Sequence, residues 1–210
     1  MPMKKIAISL RVATIGKFQE KRDSLSHDWL QFFKELNYFP VLIPNLINDL
    51  EDFLDILKID GIILSGGDNT GDEKIRDETE KKIISYGIKN NLPIIGICRG
   101  MQVLNKYFNG KIGINQAVNH SGTKHEIKFK LNGKKILDKA VMVNSYHNNL
   151  IKTEDDLGQQ LEPIAYCPDD ESVEGFKHVK LPILGVMWHP EREKNKLQYG
   201  LIDSFLKNEF

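Results

Sequence analysis

The stretch "PIIGICRGMQVLN", residues 93–105, decides how the chain is read. An apolar run stops at a cysteine set between two glycines, and a helix-like pattern begins directly after it. Gly96-Ile97-Cys98-Arg99-Gly100 has the form of a nucleophile elbow, in which glycines relieve crowding at a tight strand-to-helix turn and the central side chain stands above the sheet. Cysteine here takes the place of the usual serine. The helix that follows points its free N–H groups and positive end at the sulfur, which favours thiolate. In isolation the same pattern suits a buried structural cysteine equally well, so the chain must also supply the partners that a nucleophile needs.

The strand-turn-helix theme recurs on both sides of the elbow. "KKIAISL" reads as a buried strand, and "SLSHDWLQFFKELNY" as an amphipathic helix with Leu25, Trp29, Phe32, Phe33 and Leu36 at helical spacing. "FPVLIP" is the next strand, and "DGIILSGG" is an apolar run ending in a glycine turn before the polar helix candidate "DEKIRDETEKKIISYGIKNN". Further on, "LPILGVMWHP" returns to a buried strand and "KLQYGLIDSFLKN" to an amphipathic helix. Strands alternating with helices predict an α/β fold with a mostly parallel sheet and helices on both faces. "KHEIKFKLNGKKIL" differs: Glu126, Lys128 and Lys130 alternate with apolar residues as in a half-exposed strand, and Asn132-Gly133 is a turn signal. Small antiparallel additions to the parallel core are expected there. With no repeat, low-complexity tract or linker, residues 1–210 are expected to form one domain.

Lysine plus arginine and aspartate plus glutamate number 29 each. The net charge is therefore zero, and no whole-molecule field favours nucleic acid or an anionic membrane. The opening "MPMKKIAISLRVATIG" is too short in its apolar run and too polar for a signal peptide or a spanning helix. Cys98 and Cys167 are the only cysteines, so no disulfide framework is available and a reducing cytoplasm is expected. Homo-oligomerisation is left open.

A base and a carboxylate for Cys98 occur in "GVMWHPERE". Continuing the extended conformation past Trp188 places His189 and Glu191 on one face, while Pro190 keeps the segment from becoming helical. Glu191 then holds one ring nitrogen of His189 and the other faces Cys98. In "ILSGGDN", Gly66 and Gly67 let backbone N–H groups approach a substrate, and one of them with the Arg99 N–H suits an oxyanion hole. No Gly-Lys-Ser/Thr follows, which excludes a Walker phosphate loop. The six histidines form neither HxxxH nor a Cys/His cluster at ligand spacing, so no metal is expected. His120 and His125 flank "SGTK", and residues 116–125 suit a lid over the pocket; Cys167, in "AYCPDD", reads as a bystander. Arg11, Lys17, Lys21 and Arg22 follow strand one, at the carboxyl end of the sheet where ligands of such folds sit. They are either local anion-binding charge or a solvated loop.

"GICRGMQ", "GVMWHPE" and "LSGG", at these separations, resemble the class I glutamine amidotransferase superfamily, whose pattern is a GxCxGxQ elbow and a later His-Pro-Glu. The resemblance runs from strand one to beyond Glu191. It implies a flavodoxin-like three-layer α/β/α sandwich, with Cys98 as nucleophile, His189 as base, Glu191 as its orienter and Gln102 helping to hold a glutamyl group. Arg99 after the cysteine, Trp188 before His-Pro-Glu, "RDSLSHDW" and "VNSYHNN" resemble the gamma-glutamyl hydrolase branch, which includes the gamma-glutamyl-gamma-aminobutyrate hydrolases. By that resemblance Asn144, Ser145, Tyr146 and His147 are expected at the substrate; Arg11 and Arg22, from the basic stretch after strand one, and His120, beside the lid candidate, are expected there from their position in the sequence. Asn148 stands where a second histidine is common, a departure that bears on the role of His147.

The implied reaction is hydrolysis of a small-molecule gamma-glutamyl amide through a thioester at Cys98, with no cofactor. The leaving group stays open. A narrower resemblance, to the gamma-glutamyl-CDP-amidate hydrolases of capsule phosphoramidate synthesis, makes a nucleotide phosphoramidate the specific expectation. Two other readings are a glutaminase subunit feeding ammonia to a separate synthetase, and a non-catalytic redox-sensing relative of the fold.

Overall fold

In the computed structural model, which describes residues 3–114, 120–131, 134–135 and 140–209, the chain runs from β1 (Lys5–Ser9) into a hairpin of β2 (Arg11–Ile15) and β3 (Glu20–Ser24). Helix α1 (His27–Leu36), β4 (Phe39–Ile43), α2 (Leu50–Leu57), β5 (Gly61–Leu64), α3 (Lys74–Lys89), β6 (Ile94–Ile97) and α4 (Arg99–Tyr107) then alternate. The second half holds β7 (Gly113–Ile114), β8 (Ser121–Leu131), β9 (Lys134–Lys135), β10 (Val141–Tyr146), β11 (Asn149–Leu150), β12 (Leu161–Tyr166), β13 (Val173–His178) and β14 (Ile183–Val186), before α5 (Lys196–Leu206).

The main sheet has the order β10-β8-β12-β13-β14-β6-β5-β1-β4. Its β14-β6-β5-β1-β4 half is parallel throughout. Counted by appearance in the chain, those five strands have the 2-1-3-4-5 order of flavodoxin-like folds, as expected. β5, β6 and β14 are buried along their whole length, because helices cover both faces and every side chain points into a core. On one face Trp29, Phe32 and Phe33 of α1 join Ile202 and Phe205 of α5 against Ile8, Ile63, Ile95 and Val186. On the other, Ile83 and Ile84 of α3 and Met101 and Leu104 of α4 pack on Ile62, Leu64 and Ile94. Each such side chain removed from water contributes roughly 1.5–3 kcal/mol.

The antiparallel additions extend this half from one edge: β13 pairs β14, then β12, β8 and β10 follow. Alternation in β8 is as predicted, with Glu126 exposed and Ile127 buried. The Asn132-Gly133 turn lies outside the described residues, although β8 and β9 on either side of it pair with each other.

Two expectations need correction, and one element was missed. The basic stretch after β1 is a hairpin rather than a loop, with β2 and β3 in register from Arg11↔Ser24 to Ile15↔Glu20; alternation buries Val12 while its neighbour Arg11 is exposed. Residues 121–125 belong to β8 rather than to a lid, because they pair with β10 and turn His125 inward; residues 116–119 lie outside the described set. Helix α2 was not foreseen from its short amphipathic sequence LEDFLDIL. Among the described residues, no helix is long and apolar enough to cross a membrane.

Candidate active site

Cys98 occupies the turn between β6 and α4 with φ 50° and ψ −104°, a conformation that costs a non-glycine residue on the order of 1–3 kcal/mol. The surroundings enforce it. A Cβ on Gly100 would lie 2.1 Å from the Leu64 carbonyl oxygen, and one on Gly96 would lie 2.5 Å from the Gly100 backbone. The helix can therefore start this close to β5 and β6 only with glycine at both positions. The Cys98 N–H donates to the Val186 carbonyl at 2.8 Å, which ties the elbow to the last residue of β14.

Beyond β14 the chain departs from the extended path expected for it. Pro190–Arg192 forms a single 3-10 turn with the proline at its first position. A proline there is compatible with a helical turn because its missing N–H would be unpaired anyway. The turn brings Glu191 Oε1 to 2.7 Å from His189 Nδ1, with both side chains buried. Since a carboxylate only accepts, Nδ1 carries the proton, and Nε2 is the ring nitrogen left for the Cys98 sulfur. Burial alone would lower the His189 pKa, but the hydrogen bonds with Cys98 and Glu191 outweigh it and raise it to about 9.

Two further groups fix that ring. A Cβ on Gly66 would meet His189 Cε1 at 2.7 Å, so glycine is what admits the imidazole beside β5. Asn144 on β10 accepts from the His189 N–H and donates to the His189 carbonyl, each at 2.8 Å. The side chain expected at the substrate is thus committed to the backbone of His189.

Beneath the Gly66 turn lies a buried charge network that sequence reading missed. Arg76 donates to the carbonyls of Ser65 and Gly66 at 2.8 and 3.0 Å and to Glu80 at 3.0 Å. Arg99 reaches the other Glu80 oxygen and, at 2.5 Å, Asp77. Ser9 at the end of β1 donates to Glu80 at 2.8 Å and accepts from the Ser65 N–H. The Arg99 guanidinium therefore points into the protein, and only its peptide N–H, at the head of α4, faces the elbow side. The first N–H groups of a helix have no intrahelical acceptor, which keeps that group available. Gly67 is exposed, with Arg11 beside it.

The remaining expected residues separate into two groups. Tyr146 is half exposed, its ring standing edge-on 5.7 Å from His189 with the Arg192 guanidinium over its face. Gln102 is buried and donates to the Asn149 carbonyl at 3.2 Å. Arg11 pairs with Asp68 at 3.0 Å, Lys21 with Glu73 at 2.8 Å and Arg22 with Glu20 at 2.8 Å on its own hairpin. Much of the basic charge is thus paired locally, and Arg22 is held to its hairpin.

Ser145, His147 and His120 turn inward instead. Ser145 donates to the His120 carbonyl, while His120 Nδ1 and Nε2 lie 3.0 Å from His125 Nδ1 and Asp170 Oδ2. Asp170 raises the His120 pKa, and burial pushes His147 down to about 4. Cys167, read as a bystander, is buried beside His120 and His125, and burial pushes its thiol up to about 12. These groups come from separate strands, which linear spacing could not reveal.

Residues 19–208 match the family of class I glutamine amidotransferases. The chain is 34% identical over 197 residues, 90% of each protein, to the gamma-glutamyl-CDP-amidate hydrolase of Campylobacter jejuni. It is also 32% identical to the glutamine-hydrolyzing GMP synthase subunit of Pyrococcus furiosus, over 84% of this chain and 90% of that one. A putative GMP synthase subunit from Thermoplasma acidophilum superimposes with a TM-score of 0.73 at 24% identity, over 99% of this chain and 94% of the other. A glutamine amidotransferase from Thermotoga maritima gives 0.69 at 15% identity, over 100% and 99%. The elbow, the His-Pro-Glu turn and the sheet order thus accompany a match along nearly the whole chain, which belongs to the class I glutamine amidotransferase family.

Proposed function

We propose that this chain hydrolyses a gamma-glutamyl amide-type bond, with Cys98 as nucleophile, His189 as general base and acid, and Glu191 as its orienter. The observation that carries this is the His189 ring, held by Glu191 at 2.7 Å through Nδ1, with its pKa raised to about 9 by Cys98 and Glu191.

The sulfur attacks the gamma-carbonyl carbon, and the tetrahedral oxyanion rests on the N–H groups of Arg99 and of Gly66 or Gly67. His189 gives its proton to the departing nitrogen as the C–N bond breaks, leaving a glutamyl thioester on Cys98. It then takes a proton from water, whose oxygen attacks the thioester, releasing glutamate and restoring the thiol. Gln102, one helical turn along α4 from the elbow, is assigned to the glutamyl group. No step requires a cofactor.

For the leaving group we infer a nucleotide phosphoramidate, with gamma-glutamyl-CDP-amidate as the specific substrate. The similarity to the Campylobacter hydrolase supports this, and the exposed Arg11 beside Gly67, now paired with Asp68, is the cation we assign to a charge-assisted contact with phosphate. The similarity to the GMP synthase subunit favours a second reading, a glutaminase that passes ammonia to a separate synthetase.

Glutamate release measured across gamma-glutamyl amines, gamma-glutamyl phosphoramidates and free glutamine tests both. The phosphoramidate is expected to be the best substrate, and Cys98→Ala to lower turnover by roughly a thousandfold or more. A marked preference for free glutamine, stimulated by a partner, would select the second reading. Near-normal release by Cys98→Ala would overturn the mechanism itself.

A further inference from the structure

Behind the His189 strand, four buried acceptor atoms converge without a hydrogen-bond partner: Nε2 of His125, Nε2 of His147 and both carboxylate oxygens of Glu174. Their protonation follows from what each ring touches on its other side. His147 Nδ1 lies 3.1 Å from the Asn149 carbonyl, which only accepts, so Nδ1 holds the proton and Nε2 is a bare lone pair. It faces Glu174 Oε1 at 3.5 Å. His120 Nε2 donates to Asp170, and with that ring neutral its Nδ1 is a lone pair that accepts from His125 Nδ1. That leaves His125 Nε2 bare as well, 3.3 Å from Glu174 Oε2. Lone pairs of two neutral rings thus confront a fully buried carboxylate, and such an arrangement is costly unless a cation lies between them.

Of the proposed ligand pairs, His147 Nε2 and Glu174 Oε1, 3.5 Å apart, have a separation that suits a small cation held between them. At 3.3 and 3.5 Å these contacts lack hydrogen-bond geometry. Ligands at zinc–nitrogen and zinc–oxygen lengths of about 2.0–2.2 Å in a tetrahedron are themselves about 3.3–3.6 Å apart. His120, His147 and Glu174 each offer one ligand atom, all within 4.8 Å of one another. Asp170 behind His120 supplies the carboxylate that commonly orients a metal-bound imidazole and raises its basicity.

We propose that His120, His147 and Glu174 bind a divalent transition-metal ion of the zinc class. Metal binding at His120 Nδ1 frees the His125 proton to move to Nε2 and meet Glu174 Oε2, which satisfies the last bare pair. Nitrogen and carboxylate ligands suit zinc more than magnesium or calcium, which prefer all-oxygen sets. The ion's position gives it a structural task. Ser145 and His147 follow Asn144, which grips His189, and the Glu174 carbonyl accepts from the Met187 N–H two residues before His189. The metal fastens the start of β8 and the end of β10 to β13, close to the proposed catalytic histidine, and the chemistry proposed above does not pass through it.

The test uses untagged full-length protein carrying Cys98→Ser, which removes the thiol beside His189; Cys167 remains beside His120 and His125, and dependence on Glu174 separates the proposed site from one built on that thiol. After stripping with a chelator, zinc is titrated by calorimetry and bound metal is counted. One ion per chain is expected, with a higher melting temperature for the loaded protein, and Glu174→Gln is expected to weaken binding at least tenfold. His147→Gln serves the same purpose if Glu174→Gln does not fold. Absence of stoichiometric zinc binding in the Cys98→Ser protein, or equal binding after loss of Glu174 or His147, would overturn the proposal and leave extra protons as the cation.

Discussion

Asn144 grips His189 from both sides of its peptide backbone, its amide oxygen taking the His189 N–H and its amide nitrogen giving to the His189 carbonyl, each at 2.8 Å. A residue on an antiparallel edge strand thereby sets the position of an imidazole, the proposed base, that follows a parallel one. Asn144→Ala leaves both buried backbone groups unpaired, at about 1–3 kcal/mol each, and lets the imidazole drift. A loss of about tenfold to a hundredfold in kcat is expected, with KM little changed. Steady-state kinetics alongside urea denaturation checks both effects.

Gly66→Ala attacks the same ring from the opposite side. The new methyl would sit 2.7 Å from His189 Cε1, so the imidazole must move away. Overpacking of this kind costs about 1–3 kcal/mol, and turnover is expected to fall by about a hundredfold while Cys98 still reacts with an alkylating reagent. Equal turnover of the variant and the parent protein would show that His189 is free to relocate.

Glu80→Gln leaves Arg76 and Arg99 buried without their shared carboxylate charge. Removing one member of a buried ion network typically costs about 3–5 kcal/mol, and a loss of that size is expected in chemical denaturation. Glu51→Gln is the control: the Lys89–Glu51 pair also makes a short contact, at 2.8 Å, but is largely solvent-exposed, and no measurable change is expected there.

The raised pKa of His189 makes stability depend on pH in a definite direction. Its folded value is about 9 against an ordinary 6.5, so the folded state holds the proton more tightly. The resulting stabilisation is complete below pH 6.5 and is lost as pH rises toward 9. Denaturation curves across that window are expected to show the parent protein weakening relative to His189→Gln. Parallel pH dependence of the two would remove the basis for a charged His189 at neutral pH.

What was legible in the sequence was mostly what is local. The elbow at Cys98, the His-Pro-Glu turn and the strand-helix alternation each need only neighbouring residues, and the resemblance to a known family connected them. The fine geometry after Trp188 was misjudged because proline halts a helix from within but suits its first position. Arg76 and Glu80 sit in a charged helix, four residues apart, and look there like a solvated pair; only the packing of α3 against β1 and β5 reveals that both are buried. The histidine cluster was missed for the same reason, since its members are brought together by strand order rather than by spacing.

The hydrogen bond from Cys98 to Val186 has a consequence for how the enzyme comes into being. Strand β14 pairs with β6 across a long separation in sequence, after β7 to β13 have intervened. Such non-local pairing must be closed against chain entropy and tends to be slow. The thiol and its imidazole therefore meet only once that late strand has docked, and until then β6 presents an open edge. Under the proposed mechanism, activity and completion of the sheet are acquired in one event.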